Sequence, residues 1–240
     1  MDEQVSRLVS KVQAKLKDLP PDRRLLIGIA GIPGAGKSTV ARLVTSRLNA
    51  LLPDTAIDVP MDGFHLTRAA LSALPDPANA HARRGAAFTF DAQAFHSLVA
   101  SLREPISSPS ASHAGGAEAR ADRTIYAPSF DHAIKDPKQD DIPIRPHHRI
   151  VIIEGNYVAL DRPAWSPTAS LFDELWFVEV PFDVARRRLI ERHVKAGIAA
   201  DEEEARRRAD ENDLVNGTEI IENMVPVNEV LRSLSDEDRV

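Results

Sequence analysis

The run Leu25-Leu26-Ile27-Gly28-Ile29-Ala30 leads straight into Gly31-Ile32-Pro33-Gly34-Ala35-Gly36-Lys37-Ser38, and a helical pattern from Thr39 to Leu52 follows. A short continuous apolar run is the mark of a strand buried on both faces. The segment after it repeats Val40, Leu43, Val44 and Leu48 at helical spacing, which predicts an inner face. The glycine-rich link matches G-x-x-x-x-G-K-[ST] in full. Glycines let backbone N–H groups curl around a phosphate without a Cβ in the way. The helix that starts near Lys37 adds its positive end. The segment Gly31, Ile32, Pro33, Gly34, Ala35, Gly36, Lys37, Ser38 and Thr39 is therefore expected to hold the phosphates of a nucleoside triphosphate, with Lys37 on the β/γ oxygens and Ser38 on Mg²⁺. An ordinary strand–helix turn has no need of a lysine there. A dinucleotide fingerprint fails, because Thr39 stands where a third glycine is required.

Further strands are predicted at Thr55 to Val59, closed by Pro60, at Arg149 to Ile153 and at Glu174 to Val180, with Val225 to Leu231 a last strand or a short helix. Helices are predicted at Val5 to Leu19, from an N-cap at Asp91 to Arg103, at Phe182 to Val194 and at Asp201 to Asn212. Buried strands alternating with helices imply a parallel, doubly wound α/β sheet. Residues Phe64 to Phe90 read as short helical pieces, Thr124 to Ile134 and Asp141 to Arg145 as extended polar segments, and Glu104 to Asp122, rich in Ser, Ala and Gly, as a mobile surface loop.

The 240 residues suit a single domain spanning 1–240. A formal net charge of -6 weighs against a nucleic-acid partner, and the lack of cysteine excludes disulfides and thiolate chemistry. No run reaches the length of a membrane span. The acidic start Met1-Asp2-Glu3-Gln4 has no apolar run behind it, so no leader is expected and the cytoplasm is the default compartment.

Guanine-reading N-K-x-D and switch D-x-x-G motifs do not occur, nor does L-S-G-G-Q. What occurs is Met61-Asp62-Gly63-Phe64-His65, just past the second strand. Ligands of an open parallel sheet bind beyond the carboxyl ends of its strands, so Asp62 belongs in the crevice with Lys37. A carboxylate there can take the proton of an attacking hydroxyl. Asp-Gly is also a common turn pair, and the pattern alone leaves both readings standing. Glu154 ends the strand of Ile150 to Ile153, the place for an acid that holds Mg²⁺ or its water.

Taken together with Arg84-Gly85-Ala86, Thr89-Phe90-Asp91, Tyr126-Ala127-Pro128-Ser129-Phe130-Asp131, Glu154-Gly155-Asn156-Tyr157 and Asn212-Asp213, these blocks resemble the uridine kinase, phosphoribulokinase and pantothenate kinase superfamily. The likeness is greatest to a uridine-kinase-like branch of bacteria and fungi. It covers most of the chain from Leu25 to Val230. The resemblance implies a three-layer α/β/α P-loop fold with a mainly parallel five-stranded sheet, an acceptor-binding insertion at about 62–148 and a helical lid at about 184–212. It also implies that Asp62 is the catalytic base and that ATP is the phosphoryl donor to a small-molecule hydroxyl.

Arg188, Arg192 and Lys195 share one helix face, and such crowding calls for an anion opposite. The resemblance places Arg188 and Arg192 at lid-arginine positions; a solvated basic face is the competing reading. Phe182, Ala185 and Leu189 are expected inward, and Gly197 is a plausible hinge. Glu202, Glu203 and Glu204 precede Arg206, Arg207 and Arg208 by four, an exposed ladder of pairs. The expected acceptor pocket comprises Phe64, His65, Arg84, Tyr126, Phe130, His132 and Tyr157: aromatic residues in loops near a crevice stack on rings and shape pockets, and Arg84 is expected to bind a carboxylate or phosphate on the acceptor. The leading expectation is an ATP- and Mg²⁺-dependent small-molecule kinase acting as a monomer or homodimer on a nucleoside, sugar or vitamin-like alcohol. The alternative is a regulatory ATP-binding protein with slow hydrolysis, and a nucleic-acid-processing NTPase is disfavoured.

Overall fold

A computed structural model describes residues 2–106, 124–131 and 133–233. The predicted loop from Glu104 to Asp122 and the candidate His132 fall largely or wholly outside these residues. Helix α1 (Asp2–Asp18) precedes strand β1 (Leu25–Gly31), which feeds helix α2 (Lys37–Leu51) and then strand β2 (Ala56–Pro60). The short helices α3 (Arg68–Ser72) and α4 (Pro77–Ala82) lead to α5 (Ala92–Arg103). A hairpin of β3 (Ile125–Asp131) and β4 (Asp136–Ile144) comes next, then β5 (Ile150–Glu154), the one-turn α6 (Ser166–Ala169) and β6 (Glu174–Glu179). Helices α7 (Phe182–Lys195), α8 (Glu202–Arg208) and α9 (Leu214–Glu222) precede the last strand, β7 (Glu229–Arg232).

Five strands form one sheet in the order β2-β5-β1-β6-β7. Every pairing in it is parallel. β1 and β5 are buried along their whole length, as their apolar runs require, and Trp176 and Tyr157 are among the largest fully buried side chains. β1 lies at the centre, so the chain that leaves its carboxyl end enters the phosphate loop in the middle of the sheet. β2 runs to Pro60 rather than closing at Val59, and Pro60 stands opposite Glu154. An edge strand can hold a proline because its outer N–H has no partner to lose.

The hairpin β3–β4 is a separate antiparallel pair. It packs against the turn Met61–Phe64 so closely that a Cβ on Gly63 would lie 2.1 Å from the Pro128 carbonyl oxygen. Glycine at this position brings the 62–148 segment onto the end of β2.

Two expected faces need correction. Leu43 of α2 and Phe182 of α7 are partly exposed, at 39% and 37%, while Val40, Val44, Leu48, Ala185 and Leu189 form the inner faces. The helix expected to end at Asn212 instead passes through one π turn, Ala209–Asp213, into α9. Of the predicted glutamate–arginine ladder the first step forms, between Glu202 and Arg206; Glu204 instead accepts the Ala200 N–H, and Arg208 donates to the Arg84 carbonyl at 3.3 Å.

Candidate active site

Three glycines of the loop take positive φ: Gly31 at 156°, Gly34 at 82° and Gly36 at 93°. The last two lie in the left-handed region that favours glycine. Ala35 N–H closes the turn onto the Ile32 carbonyl at 3.1 Å, and Gly36 caps α2 with a left-handed backbone. Ile32, Pro33 and Ala35 are buried under the loop, whereas Gly36, Ser38 and Thr39 are exposed. A Cβ on Gly34 would sit 2.9 Å from the Ala185 carbonyl of α7, so α7 rests directly on the loop.

The Lys37 ammonium donates to the Ile32 carbonyl at 3.1 Å and to Asn156 Oδ1 at 2.6 Å. Burial pulls its pKa down to about 8, aided by the Arg192 charge, while Glu154 and Asp62 oppose the fall. Ser38 Oγ donates to Glu154 Oε1 at 2.7 Å. Burial raises the Glu154 carboxyl above its ordinary value; Lys37 opposes the rise, Asp62 adds to it, the Ser38 bond opposes it and Asp58 adds a little. Lys37, Glu154, Asp62 and Arg192 therefore share one electrostatic neighbourhood, although they come from four separate parts of the chain. Ser38 and Glu154 offer hard oxygen donors side by side, the donor type that Mg²⁺ takes. The residues fit the ion.

Asp62 is exposed at the mouth of this cluster, on the turn after β2. His65 Nδ1 donates to the Asp62 carbonyl oxygen at 2.8 Å, which fixes the ring tautomer. The His65 ring lies 3.9 Å from Phe90 and 5.0 Å from Phe130, and the Arg84 guanidinium stands 5.5 Å from the Phe130 ring centre. Tyr126 is half exposed on β3. Arg84 is not open to an anionic acceptor as expected. Its nitrogens reach the Lys135 carbonyl at 2.7 Å, Asp136 Oδ1 at 3.0 Å and the Leu66 carbonyl at 3.1 Å.

Two further expectations are overturned by burial. Tyr157 is fully buried, and its hydroxyl donates to the Gly85 carbonyl at 2.7 Å; it braces the Arg84 segment instead of lining a crevice. Burial pushes its phenol pKa far up. Phe64, 5% exposed, packs edge-on to Phe95 at 5.2 Å. A position outside the regular strands suggests a pocket wall, but large apolar rings gain most by entering the core.

Arg188 on α7 donates to the Gly34 carbonyl at 3.4 Å and to Ser233 Oγ at 2.9 Å. Arg192 is exposed one turn further on. Asn156 and Ser233, which the sequence did not single out, also stand beside the loop. Arg83 donates to Asn212 Oδ1 at 2.9 Å and to Asn216 Oδ1 at 2.7 Å, joining the 62–148 segment to the π turn and α9. The one available signal for Asn156 was its place two residues after Glu154, at the same strand end.

Residues 26–199 match the phosphoribulokinase / uridine kinase family. A Schizosaccharomyces pombe protein provisionally named a uridine kinase is 42% identical over 217 residues, 90% of this chain and 86% of that one. The ATP-dependent kinase-like protein notR' of Aspergillus versicolor is 47% identical over 171 residues, 71% of this chain and 92% of that one. Among solved structures, YFH7 of Saccharomyces cerevisiae superposes with a TM-score of 0.79 at 21% identity, covering 95% of this chain and 98% of that chain, which is a likeness of fold.

Proposed function

Since this chain belongs to the phosphoribulokinase / uridine kinase family and is a P-loop kinase, we propose that it transfers the γ-phosphoryl of ATP to a hydroxyl group of a small molecule, with Asp62 as the base. The observation that carries this reading is the exposed Asp62 carboxylate within electrostatic reach of both Lys37 and Glu154. The name of the Aspergillus versicolor relative supports ATP as the donor.

In this reading the loop amides and Lys37 take the β- and γ-phosphates, and Arg188 and Arg192 face them from α7. Ser38 and Glu154 would hold Mg²⁺, which when bound supplies neutralising charge between the phosphates. Asp62 accepts the proton of the attacking hydroxyl as the oxygen closes on phosphorus. The acceptor lies between Asp62 and the hairpin, against His65, Phe130 and Tyr126. Arg84 shapes that wall by standing over Phe130 while its charge is held by Asp136. Helices α7 and α8, with Gly197 between them at φ 60°, form the lid that excludes water.

ADP release measured with and without fractionated metabolite pools, with mass spectrometry of the products, tests the proposal. ADP is expected to appear with one phosphorylated acceptor. Asp62→Asn is expected to lower turnover by roughly 10²–10⁴ while ATP affinity stays within about twofold. Loss of ATP binding in that variant would remove Asp62 from the role of base.

A further inference from the structure

Ser233 follows the last residue of β7. Its backbone N–H donates to the Glu179 carbonyl at 2.8 Å, continuing the parallel ladder one step past the end of the sheet. That step carries the side chain over the phosphate loop. A Cβ on Gly36 would have Ser233 Oγ as its nearest neighbour, at 3.8 Å. The same oxygen accepts from Arg188 Nη1 at 2.9 Å, while that nitrogen also reaches the Gly34 carbonyl at 3.4 Å. Ser233 thus joins three elements that meet at the nucleotide site: the carboxyl end of the sheet, the loop and α7. Its hydroxyl is half-buried, so its bond to a guanidinium is partly shielded from water.

We propose that Ser233 is a positioning residue that holds the Arg188 guanidinium above the phosphate loop before nucleotide arrives. The proposal rests on the phosphoryl-transfer reading given above. The physical reason is entropic. An arginine side chain has many rotamers to lose when it is fixed. A guanidinium already fixed over the loop does not lose that freedom when charge develops on the transferring group, so the fixing favours the transition state. Ser233 touches neither the reacting atoms nor the base; it acts through Arg188.

Two measurements separate this role from a merely structural one. The first uses the protein without nucleotide. Hydrogen exchange across the α7 segment that contains Arg188 is expected to quicken about two- to fivefold in Ser233→Ala and to stay at the wild-type rate in Ser233→Thr, which keeps the hydroxyl. The second is kinetic. Ser233→Ala is expected to lose about tenfold in kcat with KM for ATP within about twofold, in keeping with one hydrogen bond to a charged group. Ser233→Thr should recover most of that loss. The double variant Ser233→Ala with Arg188→Ala should be no slower than Arg188→Ala alone, because the two residues act as a unit.

Unchanged exchange in Ser233→Ala would overturn the proposal. So would wild-type or raised kcat in that variant, which would make Ser233 a resting place that Arg188 must leave, and so would losses that multiply in the double variant. If Arg188→Ala keeps full turnover, the positioning role fails while the kinase reading survives. If the wild-type protein transfers phosphoryl to no acceptor, both fail together.

Discussion

The Lys37 ammonium is fully enclosed, with two oxygen acceptors and a carboxylate pair nearby, and burial still wins: its pKa falls to about 8. Below about pH 8 the folded protein carries a buried charge. Between about 8 and the unfolded value of 10.5 the unfolded chain binds the extra proton, so this residue's contribution to stability rises with pH across that window. Nucleotide binding goes the other way, because a triphosphate wants the charged form. ATP affinity measured by calorimetry is expected to fall about tenfold between pH 7 and pH 9. In Lys37→Ala that dependence should vanish, with affinity low throughout and transfer abolished. Tyr157 makes the opposite point. Since its hydroxyl braces Gly85 from inside the core, Tyr157→Phe is expected to cost about 1 kcal/mol of stability, read from denaturant unfolding, and to leave the acceptor KM unchanged. A large rise in that KM would return Tyr157 to the pocket wall. Among residues, the phosphate loop was fully legible because its chemistry is local and its spacing strict. Asn156 and Ser233 were not, because their partners Lys37 and Arg188 lie 119 and 45 residues away.

The elements that matter most are those packed on the phosphate loop and on the turn after β2. Hairpin β3–β4 meets that turn backbone to backbone at Gly63, with no room for a methyl group. Gly63→Ala is therefore expected to push the hairpin away from Asp62, to cost about 1–3 kcal/mol in stability and to raise the acceptor KM more than the ATP KM. Steady-state kinetics with both substrates varied, beside a thermal melt, check this; equal effects on the two constants would argue for general loosening. Helix α7 has its own close contact at Gly34 and is tied to the π turn before α9 through His193, whose Nε2 donates to Asp213 at 2.8 Å. Most strands and long helices were readable to within a residue or two from apolar runs and caps, and Asp91 does accept the Ala94 N–H as an N-cap, but α1 starts at Asp2 rather than Val5, β4 at Asp136 rather than Asp141 and β7 at Glu229 rather than Val225. The π turn was not readable, because it arises where α8 must continue into α9 while Asn212 still faces Arg83. Nothing in a local pattern encodes such a tertiary demand.

Across the whole molecule, the parallel sheet gathers at one edge the loop after β1, the turn after β2, the end of β5 and the residue after β7. That convergence follows from topology, and it is why strand-end residues could be assigned to one crevice from sequence. Cross-ties then link the two segments that flank the crevice: Arg83 to Asn212 and Asn216, and Lys135 Nζ to the Gly197 carbonyl at 3.2 Å. Among the described residues no helix is long and apolar enough to cross a membrane. The most direct test is a crystal structure with Mg²⁺ and a non-hydrolysable ATP analogue. The Asp62 carboxylate is expected to face the terminal phosphate at about 6 Å, across an open gap that one hydroxyl can fill. A carboxylate more than about 10 Å away, or one walled off from that phosphate by protein atoms, would contradict phosphoryl transfer with Asp62 as base.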